Sequence, residues 1–535
     1  MRRWNGWGDD TFSYPLPEAA LAFLEKAIGP GVVTPDATME DVLAQVPPSR
    51  LPEHPLIQTG AEARLRHARG HSLPDWIALK SGAIGVFPDG VAYPTTGEDV
   101  RELIRYAQNV SARLIPYGGG TSVVGQINPL PGDTPVLTVD MGRMCRLRAF
   151  DPVSQLATFE AGVSGPDLEA HLRAHGCTLG HYPQSFEYST LGGWIAARSS
   201  GQQSLGYGRI EKLFAGGRIE TPVGTWDIPA NIPASAAGPD LRAGVLGSEG
   251  RLGLITEATV RASPLPEREE FHALFFPTFE EGLRAVQEIM QTKLPLAMLR
   301  LSTAVETATT LVMAGHTFLI GGLERYLALR GAGEEKCMLI LGIAGHERLT
   351  KTAYQAARGI AADHGALYVG QTFGKTWHKN RFKSPYLRDS LWEAGYAIDT
   401  LETATDWTRV PALIDAIENA LRSALLDKDE LAGVTRPHVF THLSHTYPYG
   451  SNVYTQYLFR RASTPEETLA RWQALKTAAS EAIVAQGATI SHQHGVGMDH
   501  KPYLAAEKGE IGMTALRALV KSFDPDGIMN PGKML

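Results

Sequence analysis

The sequence predicts a protein of the α+β class with more than one domain. Its 535 residues exceed what one hydrophobic core usually serves, since domains commonly hold about 100–200 residues. Amphipathic helical runs alternate with short β-type runs, and glycine-rich turns are concentrated between residues 116 and 253. Hydrophobic residues make up 43% of the chain and charged residues 20%, a balance typical of globular proteins and unlike disordered or fibrous ones.

The net charge and the cysteine content limit the classes of binding partner and the cellular compartment that we expect. The formal net charge of −7 gives no basic surface of the kind that binds nucleic acid, so no nucleic-acid partner is expected. Cys145, Cys177 and Cys337 are far apart and predict neither a disulfide framework nor a cysteine metal site. The N-terminus has no apolar signal region, and the most apolar stretch, 337–344, is far shorter than a membrane span of ~20 residues. We therefore expect a soluble, cytoplasmic protein.

The individual elements follow from local patterns. Residues 16–69 mix helix with proline-broken loop. Thr96, followed by acids and then by apolar residues on one face, predicts an N-capped helix, and a strand at 113–116 should follow it. The further predicted elements are strands at 136–140, 156–161, 252–261 and 338–344 and helices at 166–175, 280–290 and 466–485.

The most distinctive local feature is a glycine loop at Ile115–Ser122, with the sequence IPYGGGTS. Three residues without side chains, placed after a strand, let successive backbone N–H groups converge on an anion such as a pyrophosphate. The loop is not a P-loop, because no G-K-[ST] follows, and its spacing is not that of G-x-G-x-x-G. A plain tight turn is the alternative for an isolated run of glycines.

Three further segments accompany this loop: EAGVSGP at 160–166, GHYPQSFEYSTLGGW at 180–194 and GSEGRLGLITEA at 247–258. Together they resemble the FAD-binding domain of the vanillyl-alcohol-oxidase-type flavoproteins. The resemblance implies a two-subdomain PCMH-type FAD-binding domain, an α+β substrate or cap domain and an N-terminal helical segment. His181 is the candidate for a covalent bond to the flavin, but the narrower resemblance described below implies FAD held without a covalent bond. The residues that it assigns to FAD binding are Pro116, Gly118, Gly119, Gly120, Thr121, Ser122, His181, Ser189, Thr190, Gly192, Gly193, Glu249, Gly250 and Ile255.

The resemblance and a fall in glycine-turn density near 264–269 divide the chain into four parts. They are an N-terminal segment at 1–86, the FAD-binding PCMH-type domain at 87–266, the substrate or cap domain at 267–486, and a C-terminal segment at 487–535 that completes the active site.

Within that superfamily nearly the whole chain resembles the alkyldihydroxyacetonephosphate synthases. The matching stretches are RWNGWG at 3–8, YLRD at 386–389, LETATDW at 401–407 and SHQHGVG at 491–497. The resemblance implies an enzyme of ether-lipid biosynthesis, a transferase that exchanges an acyl group for a fatty alcohol on acyl-dihydroxyacetone phosphate. The flavin N5 would form a covalent adduct with the substrate, without net redox. A lipid-like substrate, a homodimer and contact with a membrane surface are further expectations.

The same resemblance assigns catalytic roles. Tyr454 matches the family's active-site tyrosine, and a phenol can serve as acid and base if a nearby cation or hydrogen bond lowers its pKa from about 10. Arg300 and Arg388 match arginines that would hold a phosphate or carboxylate, for which a planar fork is suited. His492 and His494 match the family's run of histidines, in a segment whose two glycines suit a strand that turns at a site. The alternative for each is structural: a core ring for the tyrosine, an ion pair for the arginines.

Some residues depart from the synthase pattern. Gln493 replaces the middle histidine of the family, and Asn452 replaces a cysteine. The chain's ending, FDPDGIMNPGKML, and the pair His442 and His445 are instead similar to the D-lactate and glycolate dehydrogenase branch. The alternative function is therefore an FAD-dependent dehydrogenase or oxidase of a D-2-hydroxy acid or another alcohol.

No metal is expected in the leading interpretation. The dehydrogenase alternative would add a metal site built from His442, His445 and His494, since neutral imidazoles suit zinc. Against it, no glutamate stands beside His494 and no Asp-Gly-Asn follows His442. A flavin-binding protein without activity is disfavoured, because the tyrosine, the histidine and both arginines of the family are present.

Overall fold

The computed structural model describes residues 2–313, 317–425 and 436–535. Over these residues the helices, in chain order, are α1 Glu18–Ile28, α2 Met39–Leu43, α3 Ala61–Arg66, α4 Leu73–Ser81, α5 Gly97–Asn109, α6 Gly165–Ala174, α7 Leu191–Ala197, α8 Ser204–Tyr207, α9 Ile210–Leu213, α10 Arg242–Val245, α11 Phe279–Gln291, α12 Ala304–Met313, α13 Thr317–Leu329, α14 Glu347–Asp363, α15 Thr372–Asn380, α16 Leu387–Glu393, α17 Val410–Ser423, α18 Pro465–Ala485 and α19 Leu504–Phe523.

The strands over the same residues are β1 Ile57–Gln58, β2 Gly90–Ala92, β3 Arg113–Tyr117, β4 Val136–Asp140, β5 Leu147–Asp151, β6 Leu156–Glu160, β7 Cys177–Thr178, β8 Phe214–Thr221, β9 Gly224–Ile228, β10 Leu254–Arg261, β11 Ser263–Pro264, β12 Arg268–Phe276, β13 Met298–Ser302, β14 Cys337–Gly345, β15 Leu367–Gly370, β16 Tyr396–Asp406, β17 His438–Leu443, β18 Thr446–Tyr447 and β19 Gly450–Arg460. The elements predicted from the sequence are all present, with ends displaced by no more than two residues.

Local chemistry explains why these elements form where they do. Helix α5 begins after Thr96, whose hydroxyl accepts the N–H of Asp99 while the Asp99 carboxylate accepts the N–H of Thr96 in return. This capping box satisfies two backbone donors that the first turn leaves without partners. The buried face of the helix carries Val100, Leu103 and Ile104, as the sequence pattern predicts.

Three sheets belong to the described part of the first half of the chain, and the smallest is the antiparallel pair of β7 and β11. In the first, β2, β4 and β3 run parallel in that order, and β1 joins β2 antiparallel. The second is antiparallel, with the order β5-β6-β10-β8-β9. The α+β class is confirmed. The division of the chain at residues 86, 266 and 486 stays a prediction.

The second half is built on one large antiparallel sheet with the order β15-β12-β14-β13-β17-β19-β16, to which β18 adds beside β19. Both faces of this sheet are covered, because alternate residues of its strands enter different cores. Along β12, Leu274 and Phe276 join the core that holds helices α11, α14, α17 and α18, whereas Phe271 and Phe275 join a separate core on the other face.

A buried carboxylate contributes to the contact between the N-terminal segment and the second half of the chain. Asp389 of α16 accepts the backbone N–H of Trp7 at 3.0 Å, and it lies 3.3 Å from the ammonium of Lys80 and 3.5 Å from the guanidinium of Arg3. Its side chain is only 6% exposed. The ion pairs therefore hold Trp7 in place against the body of the protein.

This arrangement predicts that Asp389→Asn destabilises the fold. Removing one partner of a buried ion pair costs about 3–5 kcal/mol, which should lower the midpoint of thermal unfolding by about 4 °C or more. The matched control is Glu280→Gln, which removes an exposed pair with Arg284 at 3.8 Å and should shift the midpoint by less than about 1 °C. Equal shifts in scanning calorimetry of the two variants would contradict the anchoring role.

Candidate flavin and substrate site

The glycine loop lines a large cavity. The cavity contains about 1520 Å³ of empty space, including its open mouth. Of the residues that the sequence assigned to FAD, all except His181 line it: Pro116, Gly118, Gly119, Gly120, Thr121, Ser122, Ser189, Thr190, Gly192, Gly193, Glu249, Gly250 and Ile255. The structure therefore brings together three segments that lie far apart in the chain.

The loop packs so closely on a neighbouring segment that its glycines have no room for side chains. A Cβ on Gly119 would lie 1.8 Å from the carbonyl oxygen of Tyr188, and one on Gly118 would lie 2.3 Å from the hydroxyl of Thr190. Gly120 has a φ of +69°, a conformation that non-glycine residues rarely adopt. Backbone atoms therefore form the wall of the cavity where a pyrophosphate would bind.

Unpartnered polar atoms also suit a large ligand with donors and acceptors. Among the described residues, the buried Oδ1 of Asn530 and the buried Nε1 of Trp7 have no hydrogen-bond partner, and both residues line the cavity. The Asn530 amide is fixed from behind, since its Nδ2 donates to the carbonyls of Gln126 and Glu249. The glycine loop can accommodate a pyrophosphate, and the unpartnered polar atoms can bind other polar groups of a long ligand. Both features fit FAD. Sequence reasoning did not assign Trp7 or Asn530 to this site.

His181 lies one layer behind the cavity wall. Its Nε2 is 2.7 Å from the hydroxyl of Ser199, and its ring centroid is 4.9 Å from that of Trp194. Burial lowers the pKa of His181 to about 3, so the ring is neutral near pH 7. Ser199 and Trp194 line the cavity, so His181 contacts the residues of the cavity wall and does not line the cavity itself.

A second, smaller cavity adjoins the first and contains about 410 Å³ of empty space. The two share Pro183, Gln184 and Gln493 in their linings. The other residues that line the second cavity are Ser200, Gln202, Met298, Arg300, Trp377, His442, Ser444, His445 and Tyr454. A substrate placed there would lie next to a flavin in the larger cavity.

One row of directly paired residues crosses the large sheet beneath the second cavity. Ser302 pairs with His442, His442 with Tyr454, and Tyr454 with Glu402. Directly opposed residues project from the same face of an antiparallel sheet, and Arg300, two residues from Ser302, shares that face. The strands thereby place polar side chains on the face opposite helices α11, α14, α17 and α18.

Arg300 and His442 meet a buried carboxylate. Nη2 of Arg300 donates to Glu306 at 2.6 Å, and Nδ1 of His442 lies 2.9 Å from the other oxygen of the same carboxylate. Although burial acts to raise the pKa of Glu306, the neighbouring imidazole and guanidinium hold it below its usual range. Arg300 lies on strand β13, not on a helix, and its guanidinium is positioned at the wall of the second cavity.

Tyr454 is buried, with its ring stacked on that of His442 at 4.7 Å. Burial, reinforced by the charge of Glu402, raises the pKa of its phenol above the usual value, although Arg300 and a hydrogen bond with Thr400 act in the other direction. The lowered pKa that would favour a phenol as acid and base is not found here, because desolvation outweighs the neighbouring cation. The phenol is held in its protonated form.

Glu402 is the residue that sequence reasoning missed, although it lies in the quoted LETATDW stretch. Its side chain has no exposed surface, and its carboxylate lies within hydrogen-bond distance of Nδ1 of His492 and of the amides of Asn452 and Gln493. A signal was present in the sequence, since polar residues at every second position interrupt apolar strands: Arg300 and Ser302, Thr400 and Glu402, Asn452 and Tyr454.

The predicted site histidines of the second half differ in which cavity they line. His494 lines the flavin cavity and His445 lines the second one, whereas His492 lines neither. Burial lowers the pKa of His445 to about 3 and also lowers that of His494. The segment that carries His492 and His494 is an irregular loop and not a strand, although the backbone N–H of His492 donates to the carbonyl of Glu402 on β16 at 2.9 Å.

Arg388 lines neither cavity. Its Nη1 donates to the carbonyl of His71 at 2.6 Å, and its guanidinium lies 4.5 Å from the ring centroid of Trp76. Both contacts join α16 to the N-terminal segment. Of the two predicted arginines, the structure places only Arg300 where a substrate could touch it.

The ligating atoms of Glu402, His445 and His492 lie within 4.8 Å of one another, close enough to share a metal ion. This set differs from the one expected from the sequence, because His442 is bound to Glu306. A cation at Nδ1 of His492 would require the ring proton at Nε2, where Arg209 Nη1 donates at 2.9 Å. Since arginine cannot accept, the geometry favours a carboxylate–imidazole pair over a metal at His492.

Comparisons with known proteins agree with this geometry. The family model described as FAD linked oxidases, C-terminal domain, matches residues 265–534, and that described as FAD binding domain matches residues 88–227. The alkyldihydroxyacetonephosphate synthase of Trypanosoma brucei brucei is 31% identical over 576 residues, which cover 100% of this chain and 92% of the relative.

A solved structure of an alkyldihydroxyacetonephosphate synthase superposes with a TM-score of 0.84 at 28% identity and covers 99% of this chain and 98% of the other. The mitochondrial D-lactate dehydrogenase (cytochrome) of Arabidopsis thaliana is more distant, at 23% identity over 84% of this chain and 73% of the relative. The FAD cofactor and the PCMH-type architecture expected from the sequence are confirmed, and the synthase side of the superfamily is the nearer one.

The packing of the glycine loop predicts that Gly119→Val loses flavin. The wild-type protein should purify yellow, with about one FAD per chain that acid releases. The variant's side chain would overlap the carbonyl of Tyr188, 1.8 Å from its Cβ, so the loop must move away from the pyrophosphate site.

Flavin absorbance after gel filtration measures this loss. Gly60→Val is the matched control, because a Cβ there meets nothing within 4 Å and the backbone φ, as at Gly119, lies outside the left-handed region. Full FAD content in a folded Gly119→Val protein would show that the loop is only a turn. Flavin that stays with the acid-precipitated wild type would contradict non-covalent binding alone.

Proposed function

Because the chain belongs to the FAD-linked oxidases and, within them, to the alkyldihydroxyacetonephosphate synthases, we propose that it replaces the acyl group of an acyl-dihydroxyacetone phosphate by a long-chain alcohol. The carboxylic acid leaves, an ether bond forms at the same carbon, and no electrons are gained or lost overall. FAD is the cofactor. The observation that carries the proposal is the polar row of Arg300, His442 and Tyr454, which lines a cavity joined to the flavin cavity at Gln493.

The substrate phosphate would bind to Arg300. Among the described residues that line the second cavity, Arg300 is the only arginine or lysine, and the histidines there are kept neutral by burial. A planar guanidinium can hold a phosphate through the nitrogens that Glu306 does not use. Met298 and Trp377 supply apolar surface beside it, which suits the carbon skeleton of a lipid-like substrate.

Tyr454 would handle the proton of the exchange. Near neutral pH the phenol carries its proton, so Oη can donate that proton to the departing carboxylate and recover one from the incoming alcohol. The parallel ring of His442 at 4.7 Å fixes the orientation of the phenol. FAD bound against Gly118–Gly120 would supply a nucleophilic ring nitrogen beside the second cavity.

The proposed substrate also has consequences for the cellular location of the protein. Long-chain substrates partition into membranes, and exposed apolar side chains occur on the helices beside Glu306: Val305 on α12, and Tyr326 and Leu329 on α13. They support contact with a membrane surface. No helix in the described part of the chain is long and apolar enough to cross a membrane. Three free cysteines support a reducing compartment such as the cytoplasm. A homodimer is proposed from the family.

The exchange itself is the first test. Incubation of the flavin-loaded protein with a long-chain acyl-dihydroxyacetone phosphate and a radiolabelled long-chain alcohol should give a labelled ether, with one fatty acid released per ether formed. Chromatography of the lipid products measures both. Absence of labelled ether, together with reduction of an electron-accepting dye by D-lactate or glycolate, would contradict the proposal and support the dehydrogenase alternative.

Tyr454→Phe tests the proton role. The variant should keep its flavin and its KM while kcat falls by about 100-fold or more, the usual contribution of a positioned acid or base. Tyr457→Phe is the matched control, since Tyr457 lies on the same strand but projects to the opposite face, where its hydroxyl donates to Asp399. Near-wild-type turnover of Tyr454→Phe would show that the phenol is structural.

A further inference from the structure

Glu402 sits at the centre of a buried polar cluster. Nδ1 of His492 lies 2.9 Å from its Oε1, and Nδ2 of Asn452 donates to the same oxygen at 2.8 Å. Nε2 of Gln493 donates to Oε2. The ring of His494 lies slightly farther away, with its Nε2 3.7 Å from Oε2 of Glu402. The carboxylate has no exposed surface, so these groups replace the water it would otherwise bind.

The contacts of His492 settle which of its nitrogens carries the proton. Arg209 Nη1 lies 2.9 Å from Nε2, and the Tyr447 hydroxyl lies 2.7 Å from the same atom. An arginine can only donate, so Nε2 must hold the lone pair and the proton must be on Nδ1. Nδ1 then donates to Glu402. The carboxylate therefore stabilises one tautomer of His492 and fixes the ring in place.

The two departures from the synthase pattern meet at this same carboxylate. Asn452 stands where the family has a cysteine and Gln493 where it has a histidine, and both direct an amide N–H to Glu402. Neutral amides satisfy both oxygens without cancelling the negative charge. Although burial acts to raise the pKa of Glu402, the His492 hydrogen bond and the surrounding imidazoles hold it well below its usual range.

Gln493 connects Glu402 to the two cavities. Its side chain lines both cavities, and its Oε1 accepts the backbone N–H of Ser200 at 3.2 Å. With Nε2 directed to Glu402 and Oε1 to Ser200, the amide has one orientation. We propose that Glu402 is the positioning residue of the exchange reaction: it sets the orientation of Gln493 and the tautomer of His492, and through them the polar groups at the junction of the two cavities.

This inference rests on the proposed function, and Glu402→Gln tests it. The variant has the same shape, but a glutamine keeps only one acceptor oxygen. That oxygen can still accept from His492 and Asn452, whereas the new NH₂ group meets the N–H of Gln493, which needs an acceptor. Gln493 should then lose its fixed orientation. We expect FAD content to be unchanged and KM to stay within about threefold, while kcat falls by about 100-fold, the typical result of misplacing groups at the reacting centre.

Two further variants make the result specific. Glu402→Asp keeps the negative charge and should turn over faster than Glu402→Gln. Glu418→Gln is the matched control, because Glu418 is another buried carboxylate of the same domain that accepts from Thr441 and Arg422 and lines neither cavity. Its kcat should stay within about twofold of wild type. A kcat within about threefold of wild type in Glu402→Gln, or an equal loss in Glu418→Gln, would overturn the inference.

A spectroscopic measurement decides the inference even if Glu402→Gln fails to fold. In ¹⁵N-histidine-labelled protein, the ring signals of His492, assigned by their loss in His492→Asn, should show a protonated Nδ1 and an unprotonated Nε2. A proton on Nε2 in the wild-type holoenzyme would overturn the inference. If the wild-type protein forms no ether, the proposed function fails, and the tautomer still reports whether Glu402 positions His492.

Discussion

The site depends on one close approach of backbone to backbone. The glycine loop after strand β3 lies so near the segment 188–190 that no side chain fits between Gly119 and the carbonyl of Tyr188. Protein interiors tolerate such contacts only where the residue is glycine, because any Cβ would have to displace main-chain atoms. This contact brings the two segments that wall the flavin cavity together. It also explains why a run of three glycines follows a strand in a chain where most turns need only one.

A second constraint is the register of the large sheet. Because His442, Tyr454 and Glu402 are directly paired across three strands, their side chains share one face and lie within contact of one another. The opposite face is apolar and packs on helices. Burial then sets the chemistry of the row: the imidazoles lose their charge, the phenol keeps its proton, and the carboxylates hold their charge through hydrogen bonds. Fixed neutral donors of this kind suit an exchange reaction that needs no net electron transfer.

The sequence predicted the flavin half of the site better than the substrate half, for a physical reason. Cofactor contacts come from short contiguous segments, so Gly118–Ser122 and Ser189–Gly193 could be recognised as blocks. The substrate half is assembled from strands that are distant in the chain, and single residues such as Glu402 acquire their role only through pairing. Helix and strand positions followed from periodicity and caps, as with Thr96. The order of the strands in the sheets depends on long-range pairing, which local periodicity does not encode.

Three residues assigned from the sequence have surroundings that local sequence patterns could not predict. Arg388 carries a side chain suited to anions, yet the fold turns it to the carbonyl of His71. His181 lies behind the cavity wall, and the pKa of Tyr454 is raised because desolvation exceeds the effect of Arg300. Each outcome depends on burial, which a motif does not encode.

The central claim is that the two cavities form one reaction chamber that meets at Gln493. An X-ray structure of the protein with FAD and a non-reactive ether-phosphate analogue tests it most directly. The pyrophosphate should lie against Gly118–Gly120, and the flavin ring should lie beside Gln493. The phosphate of the analogue should contact Arg300. A flavin ring turned away from Gln493, or an analogue bound outside the second cavity, would contradict it.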